Sequence, residues 1–348
     1  MIQIRSNSSW YILIILVWIV LIVHGIISGS FDIRIGDVFS IIGEKFGVSV
    51  SSVDDLSKSV FFHLRLPRIL LGLLIGASLS IAGAALQGLF RNPLADPGLI
   101  GVSTGASAFA AFAIVLGIPA LFTVSWLSLF ALNIFTFIGA VSVMLLAIII
   151  AHSKGNTVLT TLLLTGIALN ALGGSITGLL TFLSKDEQLR DISFWMLGSL
   201  GNANWTNVGI LAAINIPAMG VLLFKGKVLN ALSLGEENAT YLGINIRKEK
   251  LIIILFASLL VSTCVSFTGV IGFVGLVVPH IIRLLKGGDN SFILLNSILL
   301  GSGFLVVADT ISRTIIAPQE LPIGIITSLA GAPVFLYIIL QNKRKIGV

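Results

Sequence analysis

The sequence predicts an all-α integral membrane protein crossing the bilayer about ten times, and three observations carry that prediction. Of the 348 residues, 56% are hydrophobic and 10% charged, with a mean hydropathy of +1.07. Soluble domains carry about 25% charged residues, so a water-soluble globule is excluded. The charges also cluster: no Asp, Glu, Lys or Arg lies between Asp96 and Lys154, Lys154 and Lys185, Asp191 and Lys225, or Lys250 and Arg283. Each gap holds at least one apolar helix of roughly 20 residues. Finally, these runs lack the short apolar/polar alternation of a membrane barrel, so helices are the spanning element.

The first span is expected from Trp10 to Ser28. It is too long for a signal peptide and no small-residue cleavage site follows, so it reads as a retained helix. The second runs from Leu66 to Leu89, with small residues four apart at Gly72, Gly76, Ser80, Ala84 and Gly88. That spacing flattens one face for close helix packing, the reading preferred here to a moving interface. Spans three to six are expected at Leu99–Leu116, Leu127–His152, Leu159–Leu183 and Val208–Phe224. Leu251–Thr268 and Val270–Leu285 follow, divided by a tight connection at Gly269 and Gly272. Phe292–Ile311 and Leu321–Leu340 complete the set. The whole chain, 1–348, reads as one domain, with a charged and aromatic outer segment at 184–203 and a polar inner segment at 225–250.

An even count puts both termini on one side. If that side is cytoplasmic, it collects Arg5, Arg91, Lys154, Lys225, Lys227, Arg247, Lys248, Lys250, Arg283, Lys286, Lys343, Arg344 and Lys345. These are 13 of the 21 basic residues, leaving 8 outside, so the positive-inside bias favours cytoplasmic termini. The net charge of +6 is thereby accounted for, and the absence of a basic run longer than Lys343–Lys345 argues against nucleic-acid binding. The single cysteine, Cys264, sits in an apolar run as packing.

The sequence contains no GxxxxGK[ST], HExxH or clustered Cys/His pattern. His24, His63, His152 and His280 stand far apart, and a structural or interfacial role is preferred for each over an axial haem ligand. Arg65 and Arg68 flank Pro67 at the outer start of the second span. They suit either anchoring at the headgroups or a rim for an acidic partner. Arg313 follows Asp309 by one turn, a spacing that suits an internal ion pair. Phe90–Gly98, with two prolines, cannot continue a helix and reads as a loop or a constriction beside a pathway. Leu229–Asn245 reads as short amphipathic helices that could lie on the membrane or dock a soluble partner.

Four motifs in order, Leu64–Arg68, Asn92–Gly98, Gly272–His280 and Leu321–Gly324 through Gly331–Pro333, resemble the permease family of ABC importers for iron chelates, haem and vitamin B12. The resemblance covers nearly the whole chain and implies type II importer architecture in a bacterial cytoplasmic (inner) membrane. It implies partners as well: a second copy of the chain, two cytoplasmic ATPase subunits and an external substrate-binding protein. ATP and Mg would belong to the ATPase chains, with no cofactor and no catalysis on this one. It assigns Arg65, Arg68 and Arg313 to salt bridges with acidic residues of the binding protein. Asn92 and Leu94 fall at one inner gate, Leu159 and Thr160 at a second, and Leu234, Gly235, Glu236 and Glu237 in the ATPase-docking segment. Asp96–Gly101 is similar to the haem and vitamin B12 branches. Asp186–Arg190 with Phe194–Gly198 is most similar to the haem members, so haem is the expected cargo, with vitamin B12 or a ferric siderophore as alternatives. An ion-coupled secondary transporter is the alternative of another class. It requires an ionisable residue in mid-helix, which only Asp309 approaches.

Overall fold

Apolar stretches with no polar backbone partner except themselves must coil into helices, and the computed structural model is almost wholly helical. It describes residues 8–29, 31, 33–45, 53–118, 125–153 and 156–346; the topology charges Arg5 and Lys154 lie outside the described residues. In chain order the elements begin with α1 (Ser8–Ile27), α2 (Ile35–Lys45), α3 (Asp55–Val60), a π-turn at Phe61–Arg65 and α4 (Leu66–Phe90). A 3₁₀ turn at Pro97–Ile100, α5 (Val102–Val115), α6 (Ser125–Ala151) and α7 (Leu159–Leu183) follow. Next come α8 (Asp186–Leu197), α9 (Trp205–Leu223), α10 (Gly226–Ser233), α11 (Glu236–Tyr241) and α12 (Ile246–Thr268). The chain closes with α13 (Val274–Lys286), α14 (Asn290–Thr314) and α15 (Ile323–Ile346). A two-residue hairpin, His152–Ser153 against Asn156–Thr157, joins α6 to α7.

Six described helices are long and apolar enough to cross a bilayer, and α1, α5 and α15 add shorter apolar ones. With α13 these make ten traverses. Their directions are fixed by contacts: Arg313 at the end of α14 bonds Gly25 and Ser28 at the end of α1. Gln188 of α8 bonds the last carbonyls of α5, and Ser199 bonds the last residue of α12. These ends define one face. The opposite face gathers the start of α1, the end of α4, α10, α11 and the end of α15.

Three spans depart from the expected outline. The second begins at Asp55, eleven residues before Leu66, as one 36-residue rod through the π-turn. The Asp54 carboxylate caps it, accepting from Ser57 N at 3.0 Å. The widened turn before Pro67 relieves the clash a proline ring makes with the carbonyl one turn back. The third span is short of a full crossing: α5 is about 21 Å long at 1.5 Å per residue, against a hydrocarbon core of about 30 Å. The rest is a segment of turns, with the 3₁₀ turn at Pro97–Ile100, re-entering from the end of α4. It reaches Asn170, near the middle of α7, whose Nδ2 donates to Gly98 O at 3.0 Å. Likewise α13, about 20 Å long, starts inside the bundle, following a connection at 269–273 where Gly269 and Phe273 take positive φ.

The core forms around α4. Its most apolar stretch is 83% buried, against 22% for α7. The small-residue stripe of α4 meets α14 backbone to backbone: a Cβ on Gly76 would lie 2.3 Å from Gly301 O. A Cβ on Gly83, to one side of the stripe, would lie 1.8 Å from Gly275 O at the head of α13. Close packing is therefore what the stripe provides.

Candidate functional site

Two faces carry the residues singled out in the sequence. On the first, the π-turn and α4 bring Arg65 and Arg68 beside Asp309 and Arg313 of α14. Arg65 donates to Ser28 O and, at 2.9 Å, to Phe31 O. Arg313 donates to Ser28 O at 3.0 Å, Gly25 O at 3.1 Å and Asp309 Oδ2 at 2.9 Å. Both arginines are buried and satisfy carbonyls left unpaired at the end of α1. The i,i+4 pair between Asp309 and Arg313 is formed as its spacing predicts.

Arg68 is placed differently. Its Nε donates to both Asp309 oxygens at 3.0 and 3.2 Å, and its Nη2 to Asp309 Oδ1 at 2.9 Å. Its Nη1 and Nη2 also grip Glu320 Oε1 and Oε2, each at 2.9 Å. Two guanidinium groups, Arg68 and Arg313, thus share two carboxylates, and with Arg65 they line a cavity of about 320 Å³ together with Leu64, Gly201 and Ala203. Glu320, in the loop between α14 and α15, escaped the sequence reading. Its signal was a lone acid between Pro318 and Pro322 at the end of a span.

On the other face, Arg91 takes a left-handed conformation that ends α4. Asn92 is exposed, and its Oδ1 accepts from Leu94 N at 2.9 Å, forming a local turn. Leu94 is half-buried. Asp96 then caps the 3₁₀ turn, accepting from Gly98 N at 2.7 Å. Leu159 and Thr160 open α7 on this same face, Thr160 exposed and Leu159 half-buried. The two pairs thus share a face, on separate elements.

The 225–250 segment folds into short helices, as expected for Leu229–Asn245: α10 and α11, joined at Leu234 and Gly235. Gly235 takes φ 111°, a conformation suited to glycine. Leu234, Tyr241 and Leu242 project with exposures of 66%, 89% and 65%, while Leu229 and Leu232 are buried. Glu237 is exposed. Glu236 pairs with Lys250 at 2.8 Å, and Lys225 with Glu249 at 2.8 Å, fixing the segment to α12. Asn230 fixes it to α14: its Nδ2 donates to Asp289 Oδ1 at 2.7 Å, and its Oδ1 accepts from Asn290 N at 2.8 Å. Neither Asn230 nor Asp289 stood out in the sequence.

A third polar group lies in the apolar core. Asn215 of α9 donates to Ser78 Oγ of α4 at 3.0 Å and accepts from Thr263 Oγ1 of α12 at 2.6 Å. Cys264, beside it, is buried, as its apolar setting predicts.

A model described as the FecCD transport family matches residues 14–341. The hemin transport system permease protein HmuU of Yersinia pestis is 42% identical over 298 residues, 85% of this chain and 87% of that protein. The vitamin B12 import system permease protein BtuC of Vibrio cholerae is 39% identical over 305 residues, 88% of this chain and 90% of that protein. A solved structure described as an inward-facing metal-chelate type ABC transporter superposes with a TM-score of 0.82 at 30% identity, covering 96% of this chain and 99% of the other.

Proposed function

Because the chain belongs to the FecCD transport family, we propose that it carries haem across the cytoplasmic membrane, drawing on ATP hydrolysis by separate subunits. It is the permease of a type II ABC importer, and its family is one of transport subunits, not catalysts. The finer reading adds a homodimer with both termini in the cytoplasm, two ATPase chains and an external binding protein. It places Arg65, Arg68 and Arg313 at the binding-protein mouth, and Asn92, Leu94, Leu159 and Thr160 at inner gates. Leu234, Gly235, Glu236 and Glu237 contact the ATPase.

The observation that carries this reading is the paired anatomy of α4 and α14. Each supplies a mouth residue at one end, Arg68 or Arg313, and is gripped by α10 at the other, through Leu229 against Gly88 and Asn230 on Asn290. Exposed apolar side chains on α11 suit a groove on a soluble partner. The bareness of α7, which starts with Leu159 and Thr160, suits burial against a second copy. Haem is favoured by the Asp186–Arg190 and Phe194–Gly198 segments and by the identity to HmuU. Ion coupling is disfavoured because Asp309, its best mid-helix candidate, is neutralised by Arg68 and Arg313.

The test is ATPase stimulation in the reconstituted complex, with haem, cobalamin and a ferric siderophore side by side. Stimulation by haem alone supports the reading; stimulation by cobalamin or the siderophore alone reassigns the cargo within the family.

A further inference from the structure

Of the two carboxylates on Arg68, Asp309 cannot be given up. It is 3% exposed and shared with Arg313, so withdrawing it would strand two buried cations. Glu320 stands on the solvent side, its side chain 41% exposed on a loop, and covers the two terminal nitrogens of Arg68 fork on fork. That is the geometry in which a guanidinium takes a carboxylate from any source. The two other arginines are committed to backbone carbonyls at the end of α1. Arg68 is thus the mouth guanidinium that can change partners at the least cost.

We infer that Glu320 is an intrachain stand-in for the acidic side chain of the external binding protein. It occupies the Arg68 fork in the undocked permease and is displaced when the partner's carboxylate arrives. The inference rests on the docking reading given above and adds to it a competitor that sets the threshold for docking. Exchange keeps Arg68 paired throughout, so no buried charge is exposed in transit. It also discriminates: a partner surface lacking a well-placed acid cannot dislodge Glu320. With Glu320 engaged the cluster has one excess positive charge; with Glu320 swung away it has two, so the latch also damps electrostatic attraction of wrong partners.

The test uses the full-length chain in nanodiscs and has one arm without a partner. Phenylglyoxal, which modifies guanidinium groups, is followed at Arg68 by peptide mass spectrometry. Glu320→Gln is expected to speed labelling of Arg68 about threefold or more while leaving Arg313 slow. In the second arm, the substrate-binding protein of the same organism is titrated at low and high salt. Glu320→Gln is expected to tighten docking by roughly two- to fivefold at low salt, the scale of a partly exposed ion pair, with less gain at high salt. Glu320→Asp, with its charge kept on a shorter arm, falls between, and it decides the matter if the glutamine variant fails to fold. If Arg68→Gln leaves docking unchanged, the docking reading falls, whatever the labelling shows. If Arg68→Gln weakens docking but Glu320→Gln alters neither labelling nor affinity, the latch is overturned and the docking reading stands.

Discussion

Replacing Gly83 with alanine places one methyl group where the head of α13 passes α4. The new Cβ would sit 1.8 Å from Gly275 O, 2.5 Å from its carbonyl carbon and 2.6 Å from its Cα. All three are backbone atoms, so no rotamer change relieves the contact. To restore an ordinary 3.4 Å separation, α13 must retreat by about 1.6 Å. Gln87, one turn along α4, donates to Gly275 O at 3.4 Å and Leu276 O at 3.1 Å, and both bonds break with that retreat. Overpacking costs about 1–3 kcal/mol, and interhelical hydrogen bonds in membranes average about 0.6 kcal/mol each. The expected loss is therefore roughly 2–4 kcal/mol. Gly220→Ala is the control, because nothing lies within 4 Å of the Cβ it would add. Thermal unfolding of both variants in nanodiscs, read by tryptophan fluorescence, makes the comparison. A Gly83→Ala midpoint equal to that of Gly220→Ala would refute the close-approach argument.

Asn215→Leu removes the three-helix polar knot, yet Ser78 and Thr263 keep bonds to the carbonyls of Leu74 and of Leu259 and Leu260. The expected loss is accordingly small, about 1 kcal/mol, and a collapse of the fold on the same thermal assay would contradict it. Replacing residues 234–242 with a Gly/Ser linker is expected to abolish transport in proteoliposomes while the proposed dimer still elutes intact; sustained transport would remove this segment from the coupling path. Cysteines placed singly at Asn92 and Leu94 are expected to cross-link between subunits in some nucleotide states only. Cross-linking that ignores nucleotide at both positions would return the segment to an ordinary loop.

Most of the helical outline was legible because burial in lipid leaves the backbone no alternative. Leu159–Leu183 falls on the residues expected of it, and the charge-free gaps mark where spans lie. What hydropathy could not show is where a span stops being helical. The 92–101 stretch lies among α4, α5 and α7, with Gly98 O held by Asn170 and Leu99 O against Gly166. Irregular backbone survives at that depth only because those neighbours satisfy it, and the satisfying residues are distant in sequence. The start of the second rod was hidden for another reason: Asp55–Arg65 is a mixed-polarity stretch whose helicity follows from the Asp54 cap and the π-turn, which an apolar-run count ignores.

The arginine cluster repeats the lesson at the level of charge. Asp309 and Arg313 sit four residues apart, so their pairing could be read from the chain. Glu320 lies 252 residues from Arg68, and only folding brings the two together. Arg65 and Arg68 therefore looked like equivalent candidates, although the fold gives them different work. Arg65 and Arg313 close the end of α1, where unpaired carbonyls demand donors, and burial makes either costly to remove. Arg68 spends its whole fork on carboxylates, one fixed and one movable. A cation held this way stays paired before, during and after an exchange, which is the physical condition for a charged contact to be both buried and reversible.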